Sequence, residues 1–221
     1  MLDTYAISGA ARMEAAAVGQ LDEIEVALGE QPTDRAGVRL RGVPALDALL
    51  AATGAIGARI ARFAGEHARP VRAILFDKSA SANWSLGWHQ DRTICVRERR
   101  EVAGFGPWTV KSGLLHVAPP FALLERMVTI RVHLDDVGHD NAPLLIAPGS
   151  HRLGLVREDA IDAAVAACGT HACLADAGDI WVYATPILHA SAAALTPRRR
   201  RVLQVDYAAF DLPGGLEWSG I

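Results

Sequence analysis

The spacing of apolar residues changes period near residue 71, and that switch limits what this chain can fold into. Upstream, Ala17, Leu21, Ile24 and Leu28 recur at helical spacing, and Gly29 and Pro32 close the run. Leu46, Leu49, Leu50, Thr53, Ile56, Ile60 and Phe63 predict a second helix, entered through Pro44 and weakened by Gly54 and Gly57. Downstream the runs are short and β-rich: residues 71–76, 93–97, 128–134, 143–147, 180–183 and 202–207. In the third of these, Val128, Ile130, Val132 and Leu134 share one face, while Thr129, Arg131 and His133 share the other. Gly, Pro, Asn and Asp clusters separate the runs, and only residues 161–168 read as a further helix. Strands do not alternate with helices, which excludes a doubly wound sheet. The pattern is mostly β with N-terminal helices, a sandwich or barrel under a helical cover. One domain is expected over residues 1–221, with residues 1–70 as cover and 71–210 as core.

Bulk composition narrows the function. Hydrophobic residues make up 51% of the 221 positions and charged residues 21%, enough for a large core and too apolar for disorder. A net charge of −3 and 6% aromatics argue against a nucleic-acid partner that docks on a basic face. No apolar stretch is long enough to span a membrane, and the N-terminus carries no secretory pattern. Cys95, Cys168 and Cys173 form no paired framework, so reduced thiols in a cytoplasmic protein are expected.

The chemistry-bearing residues are His89 and Asp91, two apart, with His189 far downstream and four arginines at positions 198–201. Residues two apart on a strand face the same way, so His89 and Asp91 would both face the interior and Gln90 away from it. Two imidazoles and one carboxylate on one face of a metal leave three positions open. That set suits non-haem Fe(II) with a co-substrate and O₂. A 2-oxo acid that chelates the metal leaves its far carboxylate in need of a planar two-pronged donor, which is what a guanidinium offers. Alternation puts Arg198 and Arg200 on one face, and Arg199 and Arg201 on the other.

These residues sit among further motifs: Trp88-His89-Gln90-Asp91, Leu134-Asp135-Asp136, Asp140-Asn141-Ala142-Pro143-Leu144, Ala147-Pro148-Gly149-Ser150-His151-Arg152, Gly178-Asp179 and His189-Ala190-Ser191. In that order the chain resembles the phytanoyl-CoA dioxygenase family of Fe(II)/2-oxoglutarate oxygenases over most of its β portion. The resemblance implies a double-stranded β-helix, a cupin-like jelly-roll barrel. It implies that His89, Asp91 and His189 hold Fe(II), and that Arg200, with Arg198 as the alternative, anchors 2-oxoglutarate. Ile74 and Arg131 align near positions lining the oxoglutarate pocket, Arg131 where some members carry an aromatic. Ala142 departs from the usual glycine, and no asparagine follows His189. Retention of Asp91 argues against the halogenating branch.

Lys78, Asn83, Trp84, Trp88, Trp108 and His116 are candidates to meet a small-molecule substrate. Residues 104–120, marked by Gly and Pro, are expected to cover the site. His151 is expected to hold the Pro-Gly-Ser turn by a hydrogen bond, and Cys168, His171 and Cys173 to lie in a surface turn. The reaction expected is hydroxylation of a small organic molecule. The competing readings are a cupin-type isomerase or hydrolase on another metal, with no use for the distal arginine, and a binding protein that kept the barrel without turnover.

Overall fold

The computed structural model describes residues 1–32 and 37–221. Its larger sheet has the order β1 (Ala10–Met13), β11 (Ile180–Ala184), β8 (Val128–His133), β13 (Arg200–Ala208), β3 (Arg69–Lys78) and β2 (Val38–Leu40), all neighbours antiparallel. A four-stranded antiparallel sheet runs β10 (His171–Cys173), β9 (Leu144–Ile146), β12 (His189–Ser191) and β4 (Leu86–His89). A third, of β5 (Ile94–Val96), β7 (Leu114–Val117) and β6 (Trp108–Lys111), flanks them. The architecture is the jelly-roll that the family resemblance implies, within the sandwich-or-barrel class that the strand runs predict.

Strand alternation sorts the large sheet into two chemistries. Its outward residues Ile130, Val132, Leu203 and Val205 join one apolar cluster with Ile24, Leu46, Leu50 and Ile60. Those partners belong to α2 (Leu21–Leu28), α3 (Pro44–Leu50) and α4 (Gly57–Ala64), so the cover exists to bury that face. Tyr207 on β13 donates its hydroxyl hydrogen to the Leu50 carbonyl at 2.9 Å, satisfying an otherwise unpaired carbonyl at the end of α3. A second cluster, including Val71, Ile94, Val96, Val117 and Trp218, lies under the three-stranded sheet.

The helical third differs from expectation in two ways. The run through Leu46 and Phe63 is two helices rather than one, broken between Leu50 and Gly57. The glycines explain it: a Cβ on Gly54 or Gly57 would sit 2.2 Å or 2.0 Å from the carbonyl oxygen of Ala48 or Ala51. The cover also contributes strands, β1 and β2, to both edges of the large sheet. Each is only four or three residues long, too short to show a period. His171 and Cys173 lie on edge strand β10, not in a turn, and Cys173 is buried. All three cysteines are free, and no helix among the described residues is long and apolar enough to cross a membrane.

Leu46 is fully buried between cover and sheet. Leu46→Ala should therefore lower unfolding free energy by about 2–5 kcal/mol. Urea denaturation would register this as a lower midpoint with an unchanged slope.

Candidate metal centre

His89 closes β4 and His189 opens β12, and the two are direct partners in an antiparallel register. That pairing brings their ring centroids to 4.2 Å although a hundred residues separate them in the chain. One donor atom from each of His89, Asp91 and His189 lies within 4.8 Å of the other two. Gln90, just past the end of β4, turns its amide away from the triad. Its amide donates to the Pro186 and Gly154 carbonyls at 2.8 and 3.0 Å and accepts from the Val156 N–H at 2.9 Å.

The two histidines are set in one tautomer by their neighbours. His89 Nδ1 lies 2.7 Å from the Gly87 carbonyl and His189 Nδ1 2.9 Å from that of Ile187. A carbonyl only accepts, so each Nδ1 carries the hydrogen and each Nε2 keeps its lone pair for a metal. Burial is the main reason the His189 pKa falls, to about 4, with Asp91 opposing it. The ring is neutral at physiological pH, as a ligand must be. Burial works against the Asp91 carboxylate too, but Arg72 and the two histidines outweigh it and hold its pKa below the ordinary value.

Behind the triad runs a buried ionic chain. Arg72 donates through Nη2 to Asp91 Oδ2 at 3.2 Å and through Nε to Asp206 Oδ2 at 2.6 Å. Asp206 Oδ1 accepts from the Thr129 hydroxyl at 3.0 Å, and Thr129 meets Thr185 at 2.9 Å. Arg72 thus fixes one oxygen of Asp91 against the rigid sheet. Two neutral imidazole nitrogens and one carboxylate, oriented this way, fit a divalent transition metal.

The triad opens on a cavity of about 720 Å³ between the sheets. Arg72, Ile74, Phe76 and Lys78 of β3 line it at every second position, together with Arg200 and Gln204 of β13 and Arg131 of β8. Arg200 is 2% exposed. It donates to the Ala142 carbonyl, while its Nε has no partner. Lys78 stands directly across the register from it and donates to Ser191 Oγ at 3.0 Å and the Ala192 carbonyl at 2.7 Å. Arg131 reaches Gln204 Oε1 at 3.2 Å and has an unpartnered Nε. Burial, with Arg131 adding to it, pushes the Arg200 pKa down to about 9. Burial, then Arg200 and Arg131, push Lys78 down to about 7. Three cations converge here without a carboxylate partner among the described residues, an arrangement suited to an anion.

Several expected site residues lie elsewhere. Arg198 precedes β13 instead of belonging to it, so strand alternation does not apply. Its exposed side chain forks onto Asp140 at 3.1 Å from both nitrogens. Trp88, next to His89, points to the opposite face and packs on the cluster of Val156, Ile161 and Leu188. Trp108 packs into the cluster under the three-stranded sheet, with Arg99 5.5 Å from its ring. His116 is buried in β7, its Nδ1 on the Leu114 carbonyl, and does not reach the cavity wall. The expected cover over the site is the β6–β7 hairpin, and only its tip, Lys111 and Ser112, lines the cavity. Trp84 lines it too, 5.0 Å from Lys78 Nζ, whereas Asn83 is occupied with the Ala194 backbone. His151 does not hold its turn. Its Nδ1 is unpartnered against Gly9, and Ser150 Oγ accepts from the Leu188 N–H at 2.9 Å instead. Arg72, Arg39 and Gln204 escaped the sequence reading. The period-2 face that contains Ile74 and Lys78 was the available signal for Arg72.

The fold has well-described relatives. EctD from S. alaskensis with bound Fe superposes with a TM-score of 0.65 at 17% identity, covering 94% of this chain and 75% of that one. HygX from Streptomyces hygroscopicus, crystallised with nickel, 2-oxoglutarate and hygromycin B, gives 0.62 at 17%, covering 95% and 87%. SnoN, a non-haem α-ketoglutarate-dependent epimerase from nogalamycin biosynthesis, gives 0.63 at 16%, covering 96% and 88%. No functionally curated protein matches by sequence. The phytanoyl-CoA dioxygenase family model matches residues 38–202, a span that holds His89, Asp91, His189 and Arg200, and the chain belongs to that family.

Proposed function

We propose that this protein is an Fe(II)- and 2-oxoglutarate-dependent dioxygenase that hydroxylates a small organic molecule in the cytoplasm. The observation that carries the reading is a His-Asp-His triad, with both imidazole tautomers fixed, facing a cavity whose far wall presents Arg200 and Lys78. Bound Fe(II) and 2-oxoglutarate supply, with O₂, the oxidising power for attack on a substrate C–H bond, leaving succinate and CO₂ as co-products. His89, Asp91 and His189 hold the metal, and Arg72 keeps Asp91 turned toward it. Arg200 and Lys78 grip the distal carboxylate of the oxo acid, with Ile74 and Arg131 along its flank. An isomerase or hydrolase on the same barrel would have no use for a buried arginine at that distance. Three free cysteines support a reducing compartment.

Removing a ligand should exceed the roughly 100-fold loss of metal affinity seen when an outer partner is removed. Asp91→Ala is therefore expected to abolish succinate formation, and with it the charge-transfer band of the anaerobic Fe(II)–2-oxoglutarate chelate, at unchanged circular dichroism. Full turnover in that variant removes Asp91 from the mechanism.

The two arginines separate cleanly. Loss of a buried ionic partner costs about 2–5 kcal/mol, so Arg200→Ala should weaken 2-oxoglutarate binding about 30-fold or more. Arg198→Ala, altering an exposed pair, should change it by less than about twofold. Calorimetric titration of the Zn(II)-loaded protein reads both without turnover.

Lys78 makes this affinity depend on pH. Its pKa without ligand is about 7, lowered by burial and by Arg200 and Arg131, the cations that face it. An arriving carboxylate favours the charged amine, so binding above that pKa takes up a proton. Affinity should fall as pH rises from 7 to 9. Lys78→Met should bind more weakly at pH 6 and with a flatter profile, and an equally steep slope in that variant excludes Lys78 as the source.

A further inference from the structure

The cavity carries more positive charge than Asp91 and the oxo acid neutralise. Asp91 is its only carboxylate among the described residues. Of the cations lining it, Arg72 is committed to Asp91 and Asp206, and Arg92 to Glu158 and the Val156 carbonyl. Arg39, Lys78, Lys111, Arg131 and Arg200 have no acidic partner among the described residues. Fe(II) adds two positive charges, Asp91 removes one, and a dianionic oxo acid removes two. The surplus is about four charges, in a protein whose net charge is −3.

That surplus is not spread evenly. Lys78, Arg131 and Arg200 belong to the oxo-acid end, on the face where β3, β13 and β8 run side by side. Arg39 and Lys111 are carried by other elements, the edge strand β2 beside β3 and the tip of the β6–β7 hairpin, and neither is among the cations that depress Lys78 and Arg200. Arg39 Nη1 donates to Ser112 Oγ at 3.2 Å, tying the hairpin tip to the sheet edge, while its Nε is buried with no acceptor. A guanidinium half-buried with an unused N–H, beside a lysine on the same cavity wall, lacks an oxyanion. Burial, and after it the neighbouring Arg72, push the Arg39 pKa below its ordinary value, and Asp91 opposes them only in part.

We infer that the primary substrate is an anion, a molecule bearing a carboxylate or phosphate group, and that Arg39 and Lys111 meet that group at the cavity mouth. This rests on the oxygenase reading above. The residual charge excludes cationic substrates and favours acids over their neutral analogues. The apolar wall formed by Phe76, Trp84 and Leu86 is left to receive the carbon skeleton that presents its C–H bond to the metal.

The test uses matched probes on the Fe(II)-loaded enzyme with saturating 2-oxoglutarate. N-acetyl amino acids are set against their primary amides, and sugar phosphates against the parent sugars, with succinate release as readout. The Ni(II)–2-oxoglutarate form gives apparent affinities by thermal shift. In at least one series the acid should stimulate release and bind about tenfold or more tighter than its neutral partner. The series that responds identifies the oxyanion. Arg39→Gln and Lys111→Met should each weaken that acid about fivefold or more. Anaerobic titration of the chelate band should leave 2-oxoglutarate affinity within about threefold of wild type in both variants. If no acid outperforms its neutral partner, or if the loss in both variants falls on 2-oxoglutarate instead, the proposal is wrong. A wild-type protein that shows no chelate band fails earlier, at the oxygenase reading; a normal band with no preference for acids overturns the anionic substrate alone.

Discussion

The six-stranded sheet is buried on both faces, yet only one face is apolar. Its outer side is sealed by Ile24, Leu46, Leu50 and Ile60 from the cover, and burial of that kind stabilises by about 25 cal/mol per Å². Its inner side carries Arg72, Arg131, Arg200, Thr129, Gln204 and Asp206, all buried. Polar groups inside a protein destabilise it unless they are hydrogen-bonded or await a ligand. Some are satisfied internally, in the Arg72–Asp206–Thr129 chain. Others, such as the Nε atoms of Arg131 and Arg200, are not. The hydrophobic outer face therefore sustains an inner face that is incomplete without a bound anion.

Arg72 is where stability and function meet. It is held to Asp206 on β13 and reaches from there to Asp91. A carboxylate just beyond the end of a four-residue strand would otherwise be placed by a loop alone. Tethered to the middle of the large sheet, it inherits the rigidity of the most extensively paired part of the molecule. The same logic applies to the histidines. Both use Nδ1 on backbone carbonyls two residues earlier, and so their orientation depends on strand geometry rather than on other mobile side chains.

What the sequence revealed follows from the length over which each pattern repeats. The alternation at residues 128–134 was long enough to separate the two faces of β8, and the structure places Ile130 and Val132 under the cover, Arg131 on the cavity wall and Thr129 against Asp206. β1 and β2 were invisible because three or four residues carry no readable period, and Arg39 was missed with them. Trp88, Trp108 and His116 were chosen by residue type, and orientation decided against all three. Trp88 shows why: it adjoins His89 of the triad, and that adjacency sends it to the other face. The arginine run was legible only in part. Alternation separates Arg200 from Arg201, but β13 begins at Arg200, which leaves Arg198 and Arg199 outside the strand, and boundaries are the least readable feature of a sequence.

The triad itself does not choose the reaction. A fold shared with an Fe-bound EctD, a 2-oxoglutarate-bound HygX and an epimerase, all below 20% identity, fixes the barrel and leaves the outcome to the walls. In this chain the walls differ in charge from one end to the other. Arg131, Arg200 and Lys78 crowd one end, where burial and then repulsion from the neighbouring cations lower the pKa of both Arg200 and Lys78. Repulsion among fixed cations opposes folding of the empty protein and is relieved when an anion enters. Co-substrate binding should therefore stabilise the protein as well as arm it, and the order of events follows. Arg39 and Lys111 are carried by other elements, β2 and the end of β6, and neither is among the cations that depress Lys78 and Arg200. An oxo acid can settle first beside Lys78 and Arg200 without neutralising the charge that receives a second ligand. On the proposed reading, such a cavity would keep two anions apart beside one metal.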